Sequence, residues 1–97
     1  MNINQLMQQA QKMQKDMKKA QDEVSKMTFT SKKELVEVEC TGDKRITKIE
    51  ISKDIEKDDI EALEDMILLA VNDVIEQADA AMESKLGRYS SMMPGMF

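Results

Sequence analysis

Lys12, Lys15, Lys19 and Lys26 recur at intervals of three, four and seven in the opening stretch LMQQAQKMQKDMKKAQDEVSKM, residues 6–27. On a helix turning about 100° per residue they fall within about 60° of one another. Gln8 joins this stripe, and Gln5 and Gln11 flank it. Ammonium and amide groups on one helical face are what phosphate contacts use, and they carry little base information. The same face also suits ordinary solvation, because helix surfaces outside an apolar seam are commonly charged.

The remaining side chains point away from catalysis. There is no histidine, which removes the commonest general base and the commonest metal ligand. One cysteine, Cys40, cannot form an internal disulfide, and no second thiol is present to resolve an oxidised one. Three glycines build no phosphate-cradling loop. The carboxylates Glu61, Glu64, Asp65, Asp73, Glu76 and Asp79 are spaced as the wet face of one helix. No catalytic residue, metal or cofactor is expected, and the protein is read as a non-enzyme.

Charge is divided unevenly. Residues 1–33 carry seven lysines against Asp16, Asp22 and Glu23, a net of +4. Residues 34–97 carry seven basic and sixteen acidic residues, a net of −9, and the whole chain stands at −5. Such asymmetry between halves points to a nucleic-acid or membrane surface. The membrane is disfavoured, because the helix lacks the Trp, Phe and Leu content of an interfacial anchor. The longest apolar run, Met66 to Val71, is far too short to cross a bilayer. The first thirty residues hold no apolar run of secretory type, so cytoplasmic residence is expected.

Periodicity supplies the elements that position these groups. Leu6, Ala10, Met13, Met17, Ala20, Val24 and Met27 alternate by four and three, a heptad seam. The pattern predicts a helix from Ile3 or Asn4 to Ser25, capped by Asn2 or Asn4. Its lysine stripe points about 150–160° away from the seam. A Met/Ala seam is thin and adaptable, and either closes on the chain's own core or grips a partner.

From Met27 to Ser52 the period becomes two. A short strand near Thr28–Thr30 precedes a pair in which Val36, Val38 and Cys40, then Thr47, Ile49 and Ile51, share a face. Ser31-Lys32-Lys33-Glu34 is read as a linker, and Thr41-Gly42-Asp43-Lys44 as a hairpin turn using Gly42 for positive φ. Glu37 and Glu39 are expected within reach of Lys48 and Arg45. A second helix follows, with Asp58 and Glu61 as a capping box, a broad apolar stripe including Ile60, Leu63, Ile67, Ala70, Val74 and Ala78, and Gly87 as its stop.

The order is α-β-β-β-α, an α+β fold with a three-stranded antiparallel meander. One domain is expected over residues 1–97: a helical arm over 1–26, a sheet over 27–52, a core helix over 58–86 and a mobile tail over 88–97. Three aromatics make a thin core, which favours association with a second copy.

Together, the lysine-bearing first helix, RITKIEIS, DDIEALEDMILLAVNDVIEQA and the closing MMPGMF resemble the YbaB/EbfC family of nucleoid-associated proteins. The resemblance covers nearly the whole chain. It implies a homodimer whose helices project like tweezers, bind double-stranded DNA in the nucleoid and influence gene expression. Carried over by position, it implicates Lys12, Lys15, Lys18, Lys19 and Lys26, with Lys85 and Arg88 beyond the second helix. The family's glycine-rich linker between the first two strands is here the charged Ser31-Lys32-Lys33-Glu34. The competing reading is a protein-interaction module gripping another protein's helix with the seam Leu6, Met13, Met17 and Val24.

Overall fold

A computed structural model describes residues 2–92, with the side chains of Arg88 and residues 90–92 excepted. Helix α1 (Ile3–Ser25) leads into strands β1 (Thr28–Lys33), β2 (Val36–Thr41) and β3 (Ile46–Ile51), then a single 3-10 turn (Lys57–Asp59) and helix α2 (Ile60–Met92). The sheet order is β1-β2-β3, antiparallel throughout. The molecule is long and thin, 70 × 20 × 13 Å.

Asn2 starts α1: its side-chain oxygen accepts the Asn4 N–H at 3.0 Å, satisfying one of the helix's orphan donors. Helix α1 then rises for 23 residues without a breaker, about 34 Å at 1.5 Å per residue.

Strand β1 is longer than the sequence reading has it. Ser31, Lys32 and Lys33 are paired with Val38, Glu37 and Val36, and Ser31 is buried. The expected charged linker is therefore sheet, and the connection shrinks to Glu34 and Leu35. Glu34 makes that tight turn by adopting a left-handed φ of 51°. Side-chain hydrogen bonds to α2 hold the extra residues in the strand. Asp73 accepts from the Ser31 hydroxyl and lies 3.9 Å from the Lys33 ammonium. Gln77 Nε2 donates to the Thr30 carbonyl at 3.0 Å and to Asp73 at 3.3 Å.

The second turn also differs. Lys44 supplies the positive φ, at 63°, rather than Gly42. Gly42 is needed for a different reason. A Cβ there would land on the Val24 carbonyl, far inside van der Waals contact. Its N–H donates to the Met27 carbonyl at 2.9 Å, so the end of α1 is seated directly on the β2–β3 turn. Past the turn, Glu39 faces Lys48 while Cys40 faces Ile46, which leaves Thr47 as an extra residue in a bulge. The bulge exchanges Thr47 for Ile46 on the inner face. Thr47 instead donates its hydroxyl to the Glu39 carboxylate at 2.9 Å. Lys48, opposite Glu39, pairs with Glu50 of its own strand at 2.8 Å.

Two clusters hold the layers together. Val36, Val38 and Cys40 of β2 pack with Ala70, Val74 and Ala78 of α2, joined by Phe29, Leu63, Met66, Ile67 and Val71. Each fully buried valine contributes about 1.5–3 kcal/mol. Met17 and Ala20 of α1 pack with Leu86 and Tyr89 of α2, joined by Met13 and Met82.

Both expected ends of α2 are corrected. Asp58 and Glu61 do not cap it: the Glu56 N–H donates to Asp59 Oδ2 at 3.0 Å, and a 3-10 turn precedes the first α-helical residue, Ile60. Ile60 itself is exposed rather than on the covered face. Nor does the helix stop at Gly87; it continues to Met92. A glycine inside a helix costs about 1 kcal/mol relative to alanine. Burial of the flanking Leu86 and Tyr89 against α1 outweighs that cost. Of the tail expected over 88–97, residues 88–92 are helical and 93–97 lie outside the described residues.

Gly42→Ala is expected to lose at least about 2 kcal/mol in urea unfolding, since neither the Val24 carbonyl nor the turn can retreat without breaking the joint. Hydrogen bonding from Ser31, aided by Lys33, holds the Asp73 carboxyl below its ordinary value against a smaller opposing effect of burial. Its contribution to stability is thus present above about pH 4 and lost as pH falls through the lowered native value. Asp73→Asn should lower the melting temperature at pH 7, and the gap to the parent should close in acid below about pH 4.

Candidate nucleic-acid interface

Helix α1 separates two functions by face. Met17, Ala20 and Val24 are buried, so the lower seam is closed within the chain. Lys12, Lys15, Lys18, Lys19 and Lys26 are all exposed. From Lys12 to Lys26 the stripe extends about 21 Å along the helix axis. Lys15, Lys18, Lys19 and Lys26 line one shallow depression together with Asp22 and Glu23.

Three of the body's lysines are in a different state. Lys33 pairs with Asp73, Lys44 with Asp79 and Lys48 with Glu50. Lys85, expected past the end of the helix, sits within α2 and reaches Glu23 of α1 at 3.3 Å. That contact joins the two helices and engages the ammonium. The side chain of Arg88 lies outside the described residues, although its backbone belongs to α2. Among the described residues, none of Lys12, Lys15, Lys18, Lys19 and Lys26 is in an ion pair. Lys32, Arg45, Lys53 and Lys57 of the body are likewise in no described ion pair, but Lys12, Lys15, Lys18, Lys19 and Lys26 stand together along α1 and its C-cap.

The seam named as a partner surface divides in two. Met17 and Val24 are buried beneath the chain's own elements and Met13 is half-buried against the α1–α2 cluster. Leu6 alone of the four is exposed.

A second surface lies on the sheet and α2. Helix α2 covers β1 and β2 but leaves β3 largely bare. Ile46, Ile49 and Ile51, on the inner face of the sheet, are exposed, Ile49 at 49%. On α2, Asp73 marks the flank above β1, where it meets Lys33 and Ser31. Val71, Ile75 and Leu68 turn to the opposite flank by helical geometry, on the side of β3. Leu68 is 62% exposed. Alternation in β3 signals an inner face, yet nothing local says that the covering helix is too narrow to reach it.

No chemistry of bond making is assembled. Cys40 is buried, with Sγ 3.4 Å from the Val74 carbonyl. Burial chiefly, then the charges of Asp43 and Glu39, push its thiol up and keep it from becoming a nucleophilic thiolate. Among the described residues no cluster of His, Cys, Asp and Glu could hold a metal ion. No described helix is long and apolar enough to cross a membrane.

Known proteins resemble this chain over nearly its whole length. The model of the YbaB/EbfC DNA-binding family matches residues 1–93. A nucleoid-associated protein of Ligilactobacillus salivarius is 39% identical over 99 residues, covering 99% of this chain and 95% of that protein. Another, from Lactococcus lactis subsp. cremoris, is 40% identical over 97 residues, with coverage of 97% and 98%. An uncharacterized Helicobacter pylori protein, HP0035, has the same fold in its crystal structure: the TM-score is 0.71 at 22% identity, over 96% of this chain and 98% of that one. By sequence over almost its entire length, with the helix, three-stranded meander and helix in the same order, the chain belongs to the YbaB/EbfC DNA-binding family.

Proposed function

We propose that the protein is a nucleoid-associated, non-enzymatic DNA-binding protein that acts as a homodimer and influences nucleoid organisation and gene expression. The observation that carries this reading is the unpaired lysine stripe on α1. Every other lysine in a described ion pair belongs to the body or to α2. Lys12, Lys15, Lys18, Lys19 and Lys26 neutralise phosphates, and no arginine or asparagine row accompanies them to read base edges. Membership of a DNA-binding family and the names of relatives at about 40% identity support the same partner. Lys85 acts indirectly, by fixing α2 to α1 through Glu23.

The uncovered apolar face supports homodimerisation. Ile46, Ile49, Ile51 and Leu68 are exposed beside the half-buried Val71 and Ile75, an apolar surface at an open sheet edge. A second copy removes it from water and sets two arms on one body. The acidic body, net −9 over residues 34–97, repels DNA, and the length of α1 holds the duplex away from it. Gripping of a foreign helix by the seam is disfavoured, because Met17 and Val24 already lie in the chain's own interior.

If a dimer meets four phosphates, log K for duplex DNA should fall against log salt with a slope of about −4, at about 0.9 per phosphate. Lys12→Glu, Lys15→Glu and Lys19→Glu together should abolish binding and leave the melting temperature nearly unchanged, as these side chains are exposed. A slope near zero would overturn the reading, and unfolding of the variant would make the stripe structural. For the dimer, Ile49→Asp combined with Leu68→Asp should sediment as a folded monomer in analytical ultracentrifugation and show roughly half the parent's salt slope. A variant that still sediments as a dimer would place the interface elsewhere.

A further inference from the structure

The polar face of α1 changes chemistry along its length. From Lys12 downward it carries ammonium groups. Above Lys12 it carries amides: Asn4, Gln8 and Gln11 stand at i, i+4 and i+7, with Met7 at i+3. At about 100° per residue these four fall within an arc of about 100°. Lys15 and Lys18 continue that arc down the helix, and Lys12 and Lys19 flank it.

These amides are uncommitted. Among the described residues, none of the three side-chain amides is in a hydrogen bond, whereas Gln77 of the body spends its amide on Thr30 and Asp73. Asp16 is the first carboxylate of the chain, so no anion stands beside them. The wet face of α2, by contrast, is built of carboxylates such as Glu61, Glu64 and Glu76. An amide face without carboxylates, continuous with unpaired lysines, complements a polyanion that also presents hydrogen-bonding edges.

Size selects which part of the arm can reach such edges. Every residue from 3 to 12 is exposed, and Met13 is the first residue of α1 that α2 partly covers. A lone helix with its side chains is about 10–12 Å across, and the major groove of duplex DNA is about 12 Å wide. Two packed helices, with axes about 8–10 Å apart, are too broad to enter it. The amide end is therefore the portion that fits. From Asn4 to Gln11 the helix rises about 10 Å, the height of about three base pairs. Within that groove adenine offers N7 as an acceptor and N6–H as a donor, and one primary amide meets both. Guanine presents two acceptors there, so the amide's carbonyl oxygen finds no donor on it. Thymine adds a methyl group, a contact for the thioether of Met7, which is 56% exposed.

We propose that Asn4, Gln8 and Gln11, with Met7 beside them, enter the major groove and read A·T base pairs. Each amide donates N–H to adenine N7 and accepts from N6–H, while the lysines below hold phosphates. The proposal rests on the DNA-binding reading above and adds a base preference to it.

Fluorescence anisotropy of the full chain at fixed low salt tests it on three duplexes of equal length. Two are alternating dA-dT and alternating dG-dC. The third is the dA-dT duplex with 7-deazaadenine in place of adenine, which removes N7 from the major groove and leaves the minor groove and the phosphates unchanged. The parent should bind dA-dT at least about tenfold more tightly than dG-dC, and most of that margin should vanish on the 7-deazaadenine duplex. Gln8→Ala combined with Gln11→Ala should bring the ratio of the dA-dT and dG-dC affinities within about twofold. Alanine preserves the helix, which circular dichroism verifies. Salt-sensitive binding of equal strength to dA-dT and dG-dC overturns the base reading and leaves the lysine reading standing. No binding to any duplex overturns both. A preference that survives 7-deazaadenine arises from the minor groove or from DNA deformability and overturns the proposal. A ratio unchanged in the double variant overturns it as well.

Discussion

Because α2 packs its first half on the sheet and its second half on α1, a single helix fixes the position of every other element. Ala70, Val74 and Ala78 bring its backbone close to β2. Leu86 and Tyr89 then reach Met17 and Ala20. Small residues over the sheet permit close approach, and larger ones beyond it span the gap to a second helix. Were α2 to end at Gly87, Tyr89 would leave the cluster and the lower arm would lose much of its cover. The seat of Gly42 under the Val24 carbonyl completes the joint from the other side.

This arrangement explains the polarised charge. Three of the body's lysines are placed beside carboxylates and spend their charge internally: Lys33 with Asp73, Lys44 with Asp79 and Lys48 with Glu50. Such half-exposed pairs add little stability, since surface ion pairs contribute about 0–1 kcal/mol. Their consequence is rather to make the arm the place where unpaired lysines stand in one continuous stripe. An acidic protein thereby presents a cationic surface, held at a distance from its acidic body by a helix about 34 Å long.

One helix over three strands also leaves a deficit. The inner face of β3 lies beyond the width of α2, so isoleucines that alternation assigns to a core stand in water. Among the described residues no further element covers them. The thin core and the bare strand are two expressions of the same shortage of buried surface.

The sequence by itself determined the order of elements, the β2–β3 turn region, the α1 seam and the lysine stripe opposite it. These follow from local periodicity, in which neighbouring residues decide which face each side chain takes. It also carried the family, through motifs spread over nearly the full length. Tertiary structure decided what local rules could not. Ser31 to Lys33 became strand beside Asp73, forty or more residues away, which meets Ser31 and Lys33, while Gln77 holds the neighbouring Thr30. Gly87 stayed in a helix because α1 buries its neighbours, and Gly42 proved necessary for a contact with Val24 rather than for its own torsion. Which lysines remain without an acidic partner is likewise a property of distances between elements, since sequence spacing counts charges but cannot say which of them meet.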